Sequence, residues 1–98
     1  MSSQPLVELF SRPGCHLCEE VKALLQRLQS RHLFTLREVN IAADAALLAQ
    51  YEAEIPVVCI NGRKAFKYRV DAKKFIQRLQ HAQDSRQRQL WQRLWHNE

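Results

Sequence analysis

The chain has 98 residues, a formal net charge of +5 and three cysteines. This length suits one domain with a single core that needs no cross-link, and three cysteines exclude a fully paired disulfide framework because one is always left over. No run approaches the ~20 apolar residues of a membrane span, and residues 1–5 lack the regions of a signal peptide. We therefore expect a soluble cytoplasmic protein, in which thiols are kept reduced and a close cysteine pair is catalytic or metal-binding.

Basic side chains are concentrated between residues 63 and 93, where the acids are Asp71 and Asp84. Such a stretch can attract nucleic acid, acidic proteins or anionic membranes, but it is more often a solvated face of the protein. We interpret it as a solvated face and expect no nucleic-acid partner.

Strand and helix signals alternate through the first half of the chain. An apolar run at residues 6–10, closed by Pro13-Gly14, predicts a largely buried strand. Apolar residues then recur at helical spacing, which predicts a helix over about residues 15–30. Interleaved apolar residues between positions 34 and 41 predict a second, weaker strand.

A short helix and a hairpin are predicted next. Asp44 can cap a helix that must end before Pro56, because the residue preceding a proline is pushed out of the helical region. Residues 57–60 are apolar and mostly β-branched, which predicts a strand. Asn61-Gly62 is a strong hairpin signal and joins this strand to a partner with alternating large residues, namely Lys64, Phe66 and Tyr68.

Asp71 is the predicted N-cap of a third helix whose inner side carries Phe75, Ile76 and Leu79. The resulting order, β-α-β-α-β-β-α, implies a right-handed parallel crossover followed by an antiparallel hairpin. The predicted fold is therefore α/β, a four-stranded mixed sheet flanked by helices. Its first helix begins at the carboxyl end of a central strand, where open α/β sheets place their sites.

The motif Cys15-His16-Leu17-Cys18 opens that first helix. Its spacing puts both sulfurs on one helix face, with Cys15 nearest the unpaired backbone N–H groups that favour negative charge. A thiolate with a second thiol close enough to resolve a mixed disulfide is what thiol–disulfide exchange requires. Together with Arg12 and the helix terminus, a protonated His16 should hold the pKa of Cys15 below the free value of ~8.5. A solvent-facing His16 with no specific role is the alternative.

The chain resembles the small glutaredoxin-like proteins of the thioredoxin-fold superfamily from about residue 6 to residue 79. The matching elements are a strand ending in Phe-Ser-Arg-Pro-Gly-Cys-His-Leu-Cys, then Ile-Pro-Val, the Asn-Gly hairpin and Val-Asp, in this order. The resemblance implies a thioredoxin-like fold in which Cys15 is the attacking thiolate and Cys18 the resolving thiol. It also implies that Pro56 is a cis proline facing the cysteines, and that the N–H and C=O of Ile55 pair with an incoming chain like a short added strand.

The residues that bear on glutathione match the family in part. Glutaredoxins typically carry Pro-Tyr where this chain has His-Leu, and Tyr68-Arg69-Val70 replaces the glycine pair that usually lies near bound glutathione. Bulky residues there oppose close approach of a ligand to the backbone. Arg12 and Asp71 match positions that resemble the contacts to the carboxylate and the amine of glutathione. The resemblance implies glutathione as a co-substrate. We expect no tightly bound cofactor and no resident metal.

Cys59 is interpreted apart from the motif. A cysteine in an apolar strand most often behaves as a small buried hydrophobe, and this is our expectation. A regulatory thiol or a third metal ligand is the alternative, and alkylation of the native protein separates the two interpretations.

Residues 83–98 lie beyond the predicted domain at residues 1–82. Apolar residues in this Gln- and Arg-rich tail recur at i, i+3, i+4 spacing, which predicts an extra C-terminal amphipathic helix with Trp91 and Trp95 on one stripe. Packing onto the domain, a homodimer contact, a partner groove and an anionic membrane surface are the alternatives for this stripe. We favour packing or self-association.

The predicted function is that of a thiol–disulfide oxidoreductase that reduces protein or glutathione-mixed disulfides through Cys15 and Cys18, in cell redox homeostasis. One alternative is a metal or iron–sulfur cluster protein whose ligand set is completed by Cys59, His16, glutathione or a second subunit. The sequence offers no further Cys-x-x-Cys and no close His pair for that role. The other alternative is a thioredoxin-like adaptor in which the cysteines are idle.

Overall fold

The computed structural model describes residues 4–82, so the predicted C-terminal helix with Trp91 and Trp95 lies outside the described residues. The described chain follows the predicted order of strands and helices. The elements are β1 (Leu6–Ser11), α1 (His16–Gln29), β2 (Thr35–Asn40), a 3₁₀ turn (Ile41–Ala43), α2 (Ala45–Tyr51), β3 (Val57–Ile60) and β4 (Arg63–Lys67). Residues 72–82 are helical and are called α3. In residues 4–82, no helix combines the length and the hydropathy that crossing a membrane requires.

The four strands form one mixed sheet in the order β2-β1-β3-β4, which confirms the predicted α/β fold. β1 is central and runs parallel to β2, and the other neighbouring pairs are antiparallel. Phe10 near the end of β1 lies opposite Val57 at the start of β3, and Val57 lies opposite Lys67 at the end of β4. The segments that follow β1 and β4 and the segment that precedes β3 therefore meet at one end of the sheet, which we call the β1-carboxyl end.

Side chains of successive strand residues point to opposite faces of the sheet, and each face has its own core. The larger core joins the sheet to α1 and α3, and its buried members are Val7, Leu9, Val21, Leu25, Phe34, Val58, Ile60, Phe75 and Leu79. The smaller core lies on the other face, under α2, and its buried members are Phe10, Ile41, Val57 and Cys59. Since full burial of one such side chain stabilises the fold by about 1.5–3 kcal/mol, these two cores hold the sheet between its helices.

Both predicted N-caps after β2 and β4 are confirmed. The Asp44 carboxylate accepts the N–H groups of Ala46 and Leu47 at 2.8 and 3.2 Å, and α2 begins at the next residue. The Asp71 carboxylate accepts the N–H of Lys74 at 3.1 Å at the start of α3. Each bond satisfies a backbone donor that has no partner within its own helix.

The predicted strand alternation through Tyr68 is wrong at its end. β4 stops at Lys67, and Tyr68 has a positive φ of 70°. The ladder between β3 and β4 is also irregular near Val58 and Cys59, so the alternation of Lys64 and Phe66 does not follow the simple period of two. An irregularity in one strand shifts its following side chains relative to the partner strand, and sequence alternation does not show this.

The Asn61-Gly62 turn closes the hairpin as predicted and also fastens it to β1. Both residues have positive φ, 52° and 82°, as a tight hairpin of matching twist requires. The Asn61 N–H donates to the Leu6 carbonyl at 2.8 Å, and the Leu6 N–H donates to the Asn61 side chain at 2.9 Å.

We expect Gly62→Ala to lower the free energy of unfolding by about 1–2 kcal/mol, because a residue with a Cβ is strained at positive φ. A Cβ at Gly62 would meet no heavy atom within 4 Å, so crowding adds nothing to this cost. Gly62→Asn is the matched control, since asparagine tolerates the left-handed region and should cost less. Urea unfolding measures the free energy for both variants, provided that its dependence on urea concentration is unchanged. Equal midpoints for wild type and Gly62→Ala would contradict the assigned turn.

Candidate active site

Cys15 occupies the N-cap position of α1. Its backbone is extended, with φ −93° and ψ 105°, and its sulfur accepts the N–H of Cys18 at 3.1 Å. The preceding turn includes Gly14, whose φ of 82° is a conformation that glycine adopts without strain. The turn therefore delivers Cys15 to the helix terminus, where backbone N–H groups and the helix dipole favour a negatively charged sulfur.

The two motif cysteines differ in exposure. They form a disulfide, and their Cα atoms are 5.2 Å apart. Cys15 is partly exposed, whereas Cys18 is buried with 2% of its surface accessible. A partner sulfur can therefore approach Cys15 from solvent, while Cys18 lies beneath it and can reach it from inside the protein.

Pro56 lies at the same end of the sheet as the cysteine pair. It is buried, the peptide bond that precedes it is cis as predicted, and the residue that follows it is opposite Phe10 in the sheet. The Ser11-to-Cys15 turn leaves β1 at this end. The register thus brings Pro56 and the segment before it to the end at which α1 begins.

The prediction for the backbone of Ile55 is corrected in one respect. Its N–H donates to the Tyr51 carbonyl at 3.1 Å and is not free to face an incoming chain. The first turn after α2 extends the helical bonding pattern, which occupies this donor. Among residues 4–82 no hydrogen bond is made to the Ile55 carbonyl, so this oxygen is the group that an added strand can use.

The three predicted polar residues are exposed around this end of the sheet. Arg12 lies in the turn before Cys15, His16 is the first residue of α1, and Asp71 precedes α3. None of the ion pairs found in residues 4–82 involves them. One oxygen of the Asp71 carboxylate already accepts the Lys74 N–H as the N-cap of α3. Their roles toward a substrate stay predictions.

Sequence reasoning missed the contacts of Tyr68. Its N–H donates to the Pro56 carbonyl at 2.8 Å, and its hydroxyl donates to the Ala53 carbonyl at 2.9 Å. Tyr68 therefore bonds to both ends of the segment that contains Ile55. The sequence signal that could have indicated these contacts was the tyrosine that stands directly after the last strand, where the related family usually has glycine.

A second missed feature is a polar link that joins the end of β1, α1 and β2. The buried Ser11 hydroxyl donates to one carboxylate oxygen of Glu38 at 3.0 Å, and the Lys22 ammonium lies 3.1 Å from the other. The hydrogen bond from Lys22 to Glu38, with their mutual attraction, raises the pKa of Lys22. The link ties the end of β1 and the second turn of α1 to β2, on either side of the Cys15 turn.

Cys59 is a buried free thiol, as expected. Burial raises its pKa, and the nearby Glu8 carboxylate adds to the effect. It belongs to the core under α2, on the sheet face opposite the core that contains α1 residues. In the part of the chain that the structure describes, no three His, Cys, Asp or Glu side chains are grouped as metal ligands.

Sequence comparison relates this chain to glutaredoxin-like proteins. The family model described as Glutaredoxin-like domain (DUF836) matches residues 6–80. An uncharacterized protein of Mycobacterium tuberculosis is 35% identical over 74 residues, which cover 70% of this chain and 76% of that protein. A protein of Dictyostelium discoideum that is named as glutaredoxin-like is 26% identical over 80 residues, which cover 76% of this chain and 74% of that protein.

Solved structures agree with this relation. A protein of Nitrosomonas europaea superposes with a TM-score of 0.65 at 29% identity, over 74% of this chain and 88% of that one. A protein of X. campestris superposes with a TM-score of 0.64 at 30% identity, over 76% of this chain and 96% of that one. A mutant thioredoxin from Halobacterium salinarum superposes with a TM-score of 0.61 at 12% identity, over 80% of this chain and 74% of that one. An identity this low bears on the fold alone. The predicted thioredoxin-like fold is confirmed.

We expect one fast-alkylating thiol in the reduced native protein, namely Cys15. Cys18 and Cys59 are 2% and 5% exposed, and the raised pKa of Cys59 keeps its thiolate population small at neutral pH. Timed labelling with iodoacetamide, followed by peptide mass mapping, measures the three rates.

The control for this labelling is the protein in denaturing urea, where all three thiols should react at similar rates. Labelling of native Cys59 should accelerate only as the pH rises above the ordinary range for a thiol. Labelling of native Cys59 as fast as Cys15 at neutral pH would contradict its burial.

Proposed function

Since this chain belongs to the glutaredoxin-like domain family, we propose that it is a thiol–disulfide oxidoreductase that acts through Cys15 and Cys18. The observation that carries the proposal is the arrangement of the two sulfurs. A partly exposed sulfur sits at a helix N-cap, and a buried one lies a single turn further along the same helix. An attacking thiol and a resolving thiol need these two environments.

The reaction proceeds in two exchange steps. The Cys15 thiolate attacks one sulfur of a substrate disulfide, a new bond forms between them, and the other substrate sulfur leaves as a thiolate that takes up a proton. Cys18 then loses its proton and attacks the Cys15 sulfur, which releases the second substrate thiol. Two electrons have passed to the substrate, and the protein is left with the Cys15–Cys18 disulfide until a thiol reductant restores the dithiol.

The proposed reactivity of Cys15 has a local electrostatic origin. In the reduced protein its sulfur would keep the hydrogen bond from the Cys18 N–H, which favours the thiolate over the thiol. The α1 dipole and the exposed cations of Arg12 and, when protonated, His16 act in the same direction. The pKa of Cys15 should therefore lie below the ~8.5 of a free cysteine.

We propose glutathione as the reductant of the oxidised dithiol, with cytoplasmic redox homeostasis as the setting. Arg12 supplies a cation and Asp71 a carboxylate at the β1-carboxyl end of the sheet, and these suit the carboxylate and amine groups of the tripeptide. The cytoplasmic glutathione pool is reducing enough to drive exchange with many dithiol proteins.

We expect Cys15→Ser to lower the rate of disulfide reduction by more than about 100-fold, because the attacking atom is lost. Cys18→Ser should still form the first mixed disulfide but should fail to resolve it, so a covalent adduct on Cys15 should accumulate. Cys59→Ala is the matched control and should keep the reduction rate. Intact-protein mass spectrometry after mixing with a peptide disulfide, beside a reduction assay, measures both outcomes.

Two results would oppose the proposal. Undiminished reduction by Cys15→Ser would remove Cys15 from the chemistry. Loss of activity in a folded Cys59→Ala protein would place the reacting sulfur elsewhere.

A further inference from the structure

Tyr68 has the backbone conformation that proteins usually reserve for glycine. Its φ is 70°, and the Arg69 N–H donates to the Lys67 carbonyl at 2.8 Å, which closes a three-residue γ-turn centred on Tyr68. A γ-turn with positive φ at its central residue is rare and strained, and a bulky side chain increases the strain. Such a conformation persists only where the surroundings hold it, and strained residues of this kind cluster at functional sites.

Tyr68 is held by contacts at both its backbone and its side chain. The N–H donates to the Pro56 carbonyl at 2.8 Å and the hydroxyl donates to the Ala53 carbonyl at 2.9 Å. The Lys67 ammonium lies 5.6 Å from the centre of the Tyr68 ring. These partners fix the direction of the ring, which runs from the end of β4 back along the segment between α2 and β3.

The contacts of Tyr68 enclose the backbone of Ile55. The carbonyls of Ala53 and Pro56 both accept from Tyr68, and the Ile55 N–H is occupied by the Tyr51 carbonyl. A second brace from β4 acts on the same segment, because the Lys64 ammonium binds the Glu54 carboxylate at 2.6 Å. Within residues 4–82 the Ile55 carbonyl is left without a hydrogen bond, in a segment held on both sides.

An acceptor of this kind suits one class of substrate. A carbonyl at the end of the sheet where the cysteine turn lies can take a backbone N–H from an extended chain, as in pairing at a sheet edge. A small aromatic disulfide has no such donor and gains nothing from it. Fixing the loop before the substrate arrives lowers the ordering cost of binding, and this gain goes only to substrates that use the loop.

We propose that Tyr68 is a positioning residue that holds the Ala53–Pro56 segment, so that the Ile55 carbonyl, which the family resemblance assigns to an incoming chain, is fixed before a polypeptide disulfide binds. The inference rests on the proposed dithiol function and adds the residue that favours polypeptide disulfides over small ones. Tyr68 does not take part in the exchange of sulfur bonds; it determines which disulfides are held for that exchange.

The test compares Tyr68→Phe with wild type on a disulfide-linked peptide and on dithiobis(nitrobenzoate). The variant loses one hydroxyl contact and should lose about five-fold in kcat/KM for the peptide, through KM and with little change in kcat. The rate with the small aromatic disulfide should not change. Tyr51→Phe is the matched control, since the Tyr51 ring stacks on Phe10 with centroids 4.7 Å apart and keeps that packing without its hydroxyl.

Tyr68→Gly separates the ring from the backbone. Glycine adopts the positive φ without strain, so the N–H bond to Pro56 can remain while the ring and hydroxyl are gone. It should lose at least as much peptide activity as Tyr68→Phe and still unfold cooperatively in urea. Faster hydrogen exchange at the Ile55 amide in both variants should report the loosened segment directly.

A modified substrate tests the role of the Ile55 carbonyl. A set of substrate peptides is made, and each peptide carries a single N-methyl group on one of the backbone nitrogens that flank the substrate cysteine. Each peptide therefore lacks one hydrogen-bond donor. One of them should be a several-fold poorer substrate for wild type, and the same methyl group should have little further effect on Tyr68→Phe.

The outcomes separate the two proposals. Wild type that reduces neither disulfide would overturn the proposed function and this inference with it. Wild type that reduces both, with Tyr68→Phe unchanged or equally impaired on both, would overturn the inference alone. Additive losses from the methyl group and from Tyr68→Phe would also overturn it, since the two changes would then act at separate contacts.

Discussion

A single hydrogen bond, from the Cys18 N–H to the Cys15 sulfur, distinguishes the first thiol of this chain from the other two. It exists because Cys15 stands at the N-cap of α1, where a side chain can reach a backbone donor that has no partner within the helix. Cys18 and Cys59 lie in buried surroundings that penalise a charged sulfur, and burial raises the pKa of Cys59. The proposed function assigns the attack to Cys15 on this ground, since the helix terminus favours a charged sulfur there.

The sheet register decides what surrounds that terminus. β1 ends, β3 begins and β4 ends at the same end of the sheet, so the cysteine turn, Pro56 and Tyr68 are brought together by strand pairing. Polar links then fix the cysteine turn and the segment before β3. Glu38 holds the two sides of the cysteine turn through Ser11 and Lys22, and Tyr68 holds the segment before β3. The proposed chemistry depends on exposed loops that the cores alone would not order.

Much of the fold followed from local rules that act within a few residues. The caps at Asp44 and Asp71 and the Asn61-Gly62 turn were predicted because short side chains and glycine have few alternative roles at such positions. The cysteine pair was predicted from its spacing at the start of a helix, and the cis Pro56 from the resemblance to glutaredoxin-like proteins. The bond from the Ile55 N–H to the Tyr51 carbonyl is local, but it depends on how α2 ends before Pro56, which the sequence did not show. The positive φ of Tyr68 was not predicted, because it arises where the end of β4 meets the distant segment before β3. The Ser11–Glu38–Lys22 link was missed for the same reason, since the fold brings its members together and no spacing in the sequence marks them.

The pKa of Cys15 tests the central claim most directly. The double variant Cys18→Ala with Cys59→Ala keeps Cys15 as its single thiol. The ultraviolet absorbance of the thiolate in this variant, followed against pH, gives the pKa of Cys15. A midpoint well below the ~8.5 of a free cysteine is predicted, because the N-cap hydrogen bond and the helix dipole stabilise the charged form. A midpoint at or above that value would contradict the claim that the helix terminus makes Cys15 the attacking sulfur.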